Sequence, residues 1–203
     1  GEVVRLGQSL ARLHERYEKL YKDGACVADA VRRCLSQAGS KKLIERLQYA
    51  SDSVLPALAL VLGWLTGPDV EAALTRLIGL RVVRKEAVLA LTRYGPRVTP
   101  LLVQQLDSSD LETRRAAVTA LGRIGSPESV PELIRVLTAD DELTVEVAGS
   151  LAQIGDRSAY RALLALVGHE KAAVRRAAVA AINSLGHPEM AAKAIELLKS
   201  DDP

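Results

Sequence analysis

Apolar residues recur at helical spacing in four similar segments of the second half of the chain. In the second segment, Ala117, Val118 and Leu121 fall on one face of a helix whose other faces carry Thr and Arg side chains. Each segment ends at a glycine, and these glycines are 30, 30 and 31 residues apart. The segments are residues 83–95, 113–125, 143–155 and 174–186. A pattern that returns at this period predicts a repeat array in which neighbouring units bury each other's apolar faces.

A second amphipathic segment follows each closing glycine after a short turn. The glycine ends the first helix, and a turn containing Pro, Ser or Asp precedes Leu-rich stretches such as PELIRVL at 131–137 and ALLALV at 162–167. Polar loops, DSSDLE at 107–112 and ADDE at 139–142, then lead into the next repeat. Each repeat is therefore predicted to be an antiparallel helical hairpin.

The same pattern extends toward the N-terminus in a weaker form. Residues 54–78 match when Leu62 and Gly63 are aligned with Leu121 and Gly122. The segment before the repeats predicts a single helix, which either caps the first repeat, as we favour, or forms a coiled-coil seam. We therefore expect an N-terminal capping or linker helix at 1–24 and an all-α solenoid of about six antiparallel helical hairpins at 25–203. The repeats are predicted near 27–50, 54–80, 83–107, 112–138, 143–168 and 173–200.

The composition narrows the possible classes of function. Of the 203 residues, 48% are hydrophobic and 26% are charged, and a net charge of +2 creates no strong field for nucleic acid or an anionic membrane. The longest apolar stretch, 54–65, is too short to cross a bilayer. Cys26 and Cys34 lie roughly 12 Å apart on a predicted helix, whereas a disulfide needs Cα atoms within about 7 Å. We expect reduced thiols in a cytoplasmic protein without membrane insertion.

The repeated phrase VRxxAxxALGxIG, followed by a turn, a Leu-rich helix and an acidic loop, resembles HEAT repeats in the short form found in phycobilin lyases and many bacterial proteins. The resemblance covers residues 27–203 and is strongest from residue 83 onward. It implies a fold more than a function, because HEAT-like arrays mostly bind proteins and only a few branches are enzymes or bind nucleic acid. We therefore expect a bacterial protein whose partner is a protein or peptide.

One enzymatic branch of this fold can be compared position by position. Deoxyhypusine hydroxylase, a HEAT-like metalloenzyme, holds two irons with His-Glu pairs at the start of several first helices. The equivalent positions here contain two glutamates and no histidine. They are Lys85-Glu86, Arg115-Ala116, Val145-Glu146 and Arg176-Ala177. Because the three histidines are scattered at positions 14, 169 and 187, we predict no metal site, no catalytic residue and no cofactor.

The solvent side of the second helices is the candidate partner-binding surface. This side lines the concave face of HEAT-like arrays, and here it carries charges of both signs in neighbouring rows. A mixed surface suits a protein or peptide better than nucleic acid. Tyr160 and Arg161, which lie near this face, are of the types enriched at binding hot spots, and the alternative for either residue is packing between repeats. The candidate residues are Lys42, Glu45, Leu101, Gln104, Glu132, Arg135, Tyr160, Arg161, Lys193 and Glu196.

A basic ladder at the start of the first helices is a second feature. It consists of Arg84, Lys85, Arg114, Arg115, Arg175 and Arg176. Such a stripe could meet phosphates, but it is interrupted at Thr144 and Val145. Acidic residues in the preceding loops, Asp107, Asp110, Glu112 and Glu170, are expected to offset these cations in the first turn of each helix. We therefore favour a structural ladder between repeats over a binding stripe.

The preferred interpretation is a non-catalytic scaffold or regulatory module that binds a protein or peptide on its concave face. The alternative is a phycobilin-lyase-like protein that handles a tetrapyrrole chromophore, in which Arg135 or Arg161 would pair with propionates. A third possibility is nucleic-acid binding through the basic ladder. The final residues, SDDP, match the loop that introduces another repeat. We therefore expect the chain to be part of a longer protein with further domains.

Overall fold

The computed structural model describes residues 37–186, together with residues 8 and 9. Every regular element between residues 37 and 186 is a helix. The chain divides into two compact units, residues 1–94 and residues 95–203. Several predicted features lie outside the described residues. They are the helix at 1–24, the first helix of the repeat near 27–50, Cys26 and Cys34, the second helix of the repeat near 173–200, and Lys193 and Glu196.

The first unit contains four described helices. They are α1 (Gln37–Leu47), α2 (Leu55–Leu62), α3 (Pro68–Leu77) and α4 (Arg84–Tyr94). Helix α2 packs against α3 and α4, and α3 also packs against α1. The core between them is aliphatic, since Leu62, Leu74 and Leu91 are fully buried. Tyr94 donates its hydroxyl hydrogen to the carbonyl of Leu65, which ties the end of α4 to the end of the α2 segment.

The second unit alternates first and second helices. Its described α-helices are α5 (Thr99–Gln105), α6 (Leu111–Ile124), α7 (Val130–Ala139), α8 (Thr144–Ile154), α9 (Tyr160–Ala165) and α10 (Ala172–Ser184). Short 3-10 turns at Gly95–Val98, Pro127–Ser129 and Arg157–Ala159 precede α5, α7 and α9. The first helices α6, α8 and α10 lie side by side, with α8 in the middle. Each second helix packs on the first helix that follows it, as α7 does on α8.

The closing glycines make the turns between helices possible. Gly95, Gly125, Gly155 and Gly186 have φ angles of 65°, 72°, 76° and 70°. This left-handed conformation is strained for residues with a side chain, so glycine ends the first helix and redirects the chain. At Gly125 the backbone N–H still donates to the Leu121 carbonyl, which satisfies one of the last carbonyls of α6. The regular spacing of these glycines in the sequence therefore reflects the left-handed backbone conformation that each turn requires.

Two other glycines allow adjacent first helices to approach closely. A Cβ atom on Gly122 would lie 2.7 Å from the Cβ atom of Ser150 on α8 and 2.9 Å from its Cα atom. In the first unit, a Cβ atom on Gly63 would lie 2.7 Å from the Cβ atom of Ala90 on α4. The Ser150 hydroxyl then donates to the Val118 carbonyl at 3.0 Å, across the repeat boundary. Helices α6 and α8 are therefore held at a distance that excludes a methyl group.

Repeated burial completes the core of the second unit. Leu121 and Leu151 occupy equivalent positions on α6 and α8, and both have no exposed surface. On the second helices, Leu102, Leu133 and Leu163 are buried to the same extent. These leucines are the apolar positions that recur at helical spacing in the sequence. The predicted all-α solenoid of helical hairpins is confirmed.

Candidate partner-binding surface

The outward side of α5, α7 and α9 carries the candidate surface in the second unit. We call this side the second-helix face, and it comprises Leu101, Gln104, Glu132, Arg135, Ala162 and Ala165. Gln104, Arg135 and Ala165 are exposed, whereas the other three are half-buried. Leu102, Leu133 and Leu163 alternate with these residues and point into the core. The buried leucines therefore fix the helices that present the face. In the first unit, Lys42 and Glu45 are exposed on α1.

Arg135 is the centre of an ion-pair cluster on this face. Its Nε atom donates to Glu132 Oε2 and its Nη2 atom donates to Asp107 Oδ1, both at 2.8 Å. The hydrogen bonds with Glu132 and then Asp107 raise the pKa of Arg135. Asp107 lies in the loop after α5, so this cluster links two repeats. One guanidinium between two carboxylates leaves a net negative charge, which does not favour binding of a propionate or a phosphate.

Tyr160 does not belong to the exposed surface. Only 8% of its surface is accessible, and burial raises the pKa of its hydroxyl. Val130 and Thr99 occupy the equivalent positions at the start of α7 and α5, and they are 1% and 3% exposed. Tyr160 is therefore a core side chain, which corrects its predicted place on the surface. Arg161, the next residue, is exposed.

The first arginine of each pair in the basic ladder closes the loop before its own helix. The bonds run from Arg84 Nε to the Ile78 carbonyl (2.8 Å), from Arg114 Nη1 to the Ser108 carbonyl (2.9 Å) and from Arg175 Nη1 to the His169 carbonyl (2.8 Å). Ile78 directly follows the preceding second helix, whereas Ser108 and His169 lie in the loops after their helices. In each case the guanidinium satisfies a loop carbonyl that no helical N–H reaches. These three arginines are held by the fold.

Two of the ladder residues also form ion pairs with the next repeat. Arg114 contacts Asp140 through both Nε and Nη2 at 3.0 Å, and about a fifth of each side chain is exposed. Arg115 donates to Glu146 at 2.8 Å and also pairs with Glu112 within its own helix. These contacts tie α6 to the loop before α8 and to α8 itself. Asp140 and Glu146 were not among the acids expected to offset the ladder.

Lys85 and Arg176 differ from the other ladder residues. Both are exposed, and neither forms an ion pair or side-chain hydrogen bond with another described residue. Asp110, one of the expected offsetting acids, caps α6 by accepting from the Thr113 N–H at 2.9 Å. The ladder therefore combines structural contacts with isolated surface charges, and its residues do not present one continuous free basic stripe.

Arg157 is an exposed cation that the sequence interpretation did not include. It lies in the turn before α9 and has no ion pair with any described residue. The sequence does contain a signal for this residue. The preceding repeat has Pro127 at the equivalent position, so Arg157 departs from the repeat pattern. The helical period of apolar residues does not extend into this turn, so it gives no prediction for Arg157.

The described part of the chain shows no metal centre or membrane span. Within residues 37–186, no three His, Cys, Asp or Glu side chains are placed to hold a metal ion together. Among the same residues, no helix combines the length and apolar character needed to cross a bilayer.

Comparison with known proteins identifies the repeats. Residues 80–149 and 139–203 match HEAT repeats, and together they make up more than half of the chain. The chain belongs to the HEAT-repeat family. The resemblance inferred from the repeated phrase is thus confirmed. HEAT repeats commonly mediate protein interactions, and they support a repeat scaffold as the general role.

This HEAT-repeat protein is similar to a bacterial protein and to engineered proteins of known structure. It is 36% identical over 83 residues to the bilin biosynthesis protein PecE of Nostoc sp. (strain PCC 7120), a match covering 40% of this chain and 33% of PecE. The matched region therefore spans about a third of that relative. Two engineered proteins with crystal structures show 21% identity and TM-scores of 0.46 and 0.44. Those alignments cover 91% and 98% of this chain, and 96% and 61% of the engineered chains.

Proposed function

We propose that this HEAT-repeat protein is a non-catalytic scaffold that binds a protein or peptide on the second-helix face. The observation that supports this is the placement of exposed Gln104, Arg135 and Ala165 on three successive helices anchored by fully buried leucines. Such a surface offers polar and small apolar contacts without reorganisation of the backbone, which lowers the entropic loss on binding. The helices of several repeats together can contact an extended partner.

The match to PecE supports a second candidate function, the handling of a bilin chromophore. A tetrapyrrole carries propionate groups that need a cation. Arg135 is already held by Glu132 and Asp107, so it is poorly suited to this role. Arg161 is exposed and has no ion pair with a described residue, so it is the better candidate.

Site-specific photo-crosslinking tests the protein-binding function. A benzophenone amino acid replaces Gln104 or Ala165 on the second-helix face, and Ala180 on α10 serves as the matched control because it is also exposed. The variants are irradiated in native lysate, and the products are identified by mass spectrometry. We expect one protein partner to crosslink at the first two positions and not at Ala180. Equal crosslinking at all three positions, or none at any, would contradict the proposal.

Visible absorbance distinguishes the second candidate in the same preparation. Purified protein is mixed with a linear tetrapyrrole, and the spectrum is followed for the wild type and for Arg161→Gln and Arg135→Gln. Bilin handling predicts a shifted, saturable band that Arg161→Gln weakens and Arg135→Gln leaves in place. A saturable band with no protein crosslink at Gln104 or Ala165 would replace the scaffold by the chromophore role.

A further inference from the structure

Arg157 and Arg161 form a pair of close, exposed cations. The 3-10 turn Arg157–Ala159 runs directly into α9, with helical backbone angles at Ala159 and Tyr160. Four residues along such a stretch correspond to roughly 6 to 8 Å along its axis. Both side chains are exposed, and neither forms a hydrogen bond or ion pair with another described residue. The two positive charges therefore lie near each other without direct compensation.

The acidic residues in this turn and in the equivalent turn of the preceding repeat form no ion pair with either arginine. Asp156 precedes Arg157, but its Oδ1 atom accepts from the Ser158 N–H at 2.8 Å. That hydrogen bond lowers the pKa of Asp156 and keeps its carboxylate on the turn. Glu128 is exposed on the turn of the preceding repeat and forms no ion pair with a described residue. Like charges at this separation repel, so the arrangement weakens the start of α9.

The neighbouring repeat shows that the hairpin does not require these arginines. Pro127 and Pro131 occupy the positions equivalent to Arg157 and Arg161, and both prolines are exposed. Proline suits the start of a helix because its φ angle is already helical and its missing N–H needs no acceptor there. The same fold is thus built with two neutral residues one repeat earlier. The arginine pair adds charge that the structure of the hairpin does not use.

We propose that Arg157 and Arg161 dock an acidic segment of the partner protein. This inference rests on the proposed protein-binding function and names the chemistry of the segment. Guanidinium groups bind carboxylates with two parallel hydrogen bonds, and two of them at this spacing can take carboxylates from one peptide. The small side chains of Ala162 and Ala165 beside them leave room for a peptide backbone. Nearby Asp156 and Glu132 interrupt any longer positive track, which disfavours nucleic acid.

Peptide titration on the 203-residue chain tests the proposal. The probe is a fluorescein-labelled peptide of alternating Glu and Ala, about twelve residues long, and its counterpart has Gln in place of Glu. The variant Arg157→Pro/Arg161→Pro copies the preceding repeat and removes both charges. The control Arg93→Gln/Arg176→Gln removes two exposed arginines that also have no ion pair with a described residue. Binding is measured by fluorescence anisotropy and folding by thermal unfolding.

We expect the Glu peptide to bind the wild type and the control equally, and the Pro variant roughly tenfold more weakly. The Pro variant should unfold at the wild-type temperature or above, because the repulsion is gone and the unfolded chain is stiffer. The proposal is overturned by equal loss in the control, by equal binding of the Gln peptide, by no binding of the Glu peptide, or by a lower unfolding temperature of the Pro variant.

Two further measurements separate this proposal from the proposed function. An oligonucleotide or a linear tetrapyrrole that binds more tightly than the Glu peptide, and needs the same two arginines, would overturn the assignment to an acidic protein segment. Crosslinking at Gln104 is repeated in the Pro variant. If the partner crosslinks with undiminished yield, the scaffold function stands and the docking role of the arginine pair fails. Loss of the crosslink supports the docking role.

Discussion

Replacement of Gly122 by Ala tests the closest contact between first helices. The added methyl group would lie 2.7 Å from the Cβ and Oγ atoms of Ser150 and 2.9 Å from its Cα atom. A change of rotamer cannot relieve a contact with a Cα atom, so α6 and α8 must move apart by several tenths of an ångström. That movement also strains the hydrogen bond from the Ser150 hydroxyl to the Val118 carbonyl. We expect Gly122→Ala to destabilise the protein.

The magnitude follows from opposing effects. Overpacking of a tight core costs about 1–3 kcal/mol, and a weakened buried hydrogen bond adds up to about 1 kcal/mol. Alanine in place of glycine in a helix recovers about 1 kcal/mol of intrinsic helix stability. The free energy of unfolding should therefore fall by about 0–3 kcal/mol, with a central value of about 1–2 kcal/mol.

Gly149→Ala is the matched control, since Gly149 lies within α8 and is exposed, and a methyl group added there would meet no neighbouring atom within 4 Å. It should gain up to about 1 kcal/mol. Urea unfolding monitored by circular dichroism measures both variants and the double variant Gly122→Ala/Ser150→Gly. The double variant should recover part of the loss, because Ser150→Gly removes two of the three crowded atoms. If Gly122→Ala is as stable as Gly149→Ala, the close approach of α6 and α8 is wrong.

Three other substitutions probe the remaining contacts. Arg114→Ala should lower the free energy of unfolding, measured in urea, by about 1–3 kcal/mol, because it removes the ion pair with Asp140 and the hydrogen bonds to two loop carbonyls. The control Arg176→Ala should change it by less than about 0.5 kcal/mol. Equal effects of the two substitutions would refute a structural role for Arg114. Gly63→Ala should destabilise as Gly122→Ala does, and a thermal scan that shows stabilisation would contradict the contact with α4. The hydrogen bond with Ser158 lowers the pKa of Asp156 from 3.8 in the folded state, so its contribution to the free energy of unfolding is present above that pH and is lost as the pH falls below it. Asp156→Ala should therefore reduce the loss of unfolding free energy on acidification, and an unchanged dependence on pH would refute this.

The fold could be predicted because its determinants are local and repeated. A left-handed backbone needs glycine, so Gly95, Gly125 and Gly155 mark the turns of three hairpins in the sequence. Leucines at helical spacing must be buried, and Leu121 and Leu151 are. The same glycine and leucine positions recur in successive repeats, so the pattern can be recognised even where one repeat has diverged.

The candidate surface was less predictable because it depends on side-chain contacts between repeats. Arg114 and Arg176 both follow the start of a first helix, yet Arg114 is bound to Asp140 and Arg176 has no such contact among the described residues. Residue type alone cannot separate these cases, because the partner lies 26 positions away. Tyr160 was misplaced for a related reason. An aromatic residue with a polar hydroxyl suits either a binding site or a core, and its depth in the repeat decides which.

In a repeat protein, the role of a surface residue can be judged by comparing it with the residues at equivalent positions of the other repeats. Where several repeats keep the same contact, as Arg84, Arg114 and Arg175 do with loop carbonyls, the residue serves the fold. Where one repeat replaces residues that suit the hairpin by residues that repel each other, the fold gives no reason for the change. Arg157 and Arg161 replace the pattern of Pro127 and Pro131 in this way. Such a departure is a stronger indication of binding than charge or exposure, because it remains after the structural requirement has been accounted for.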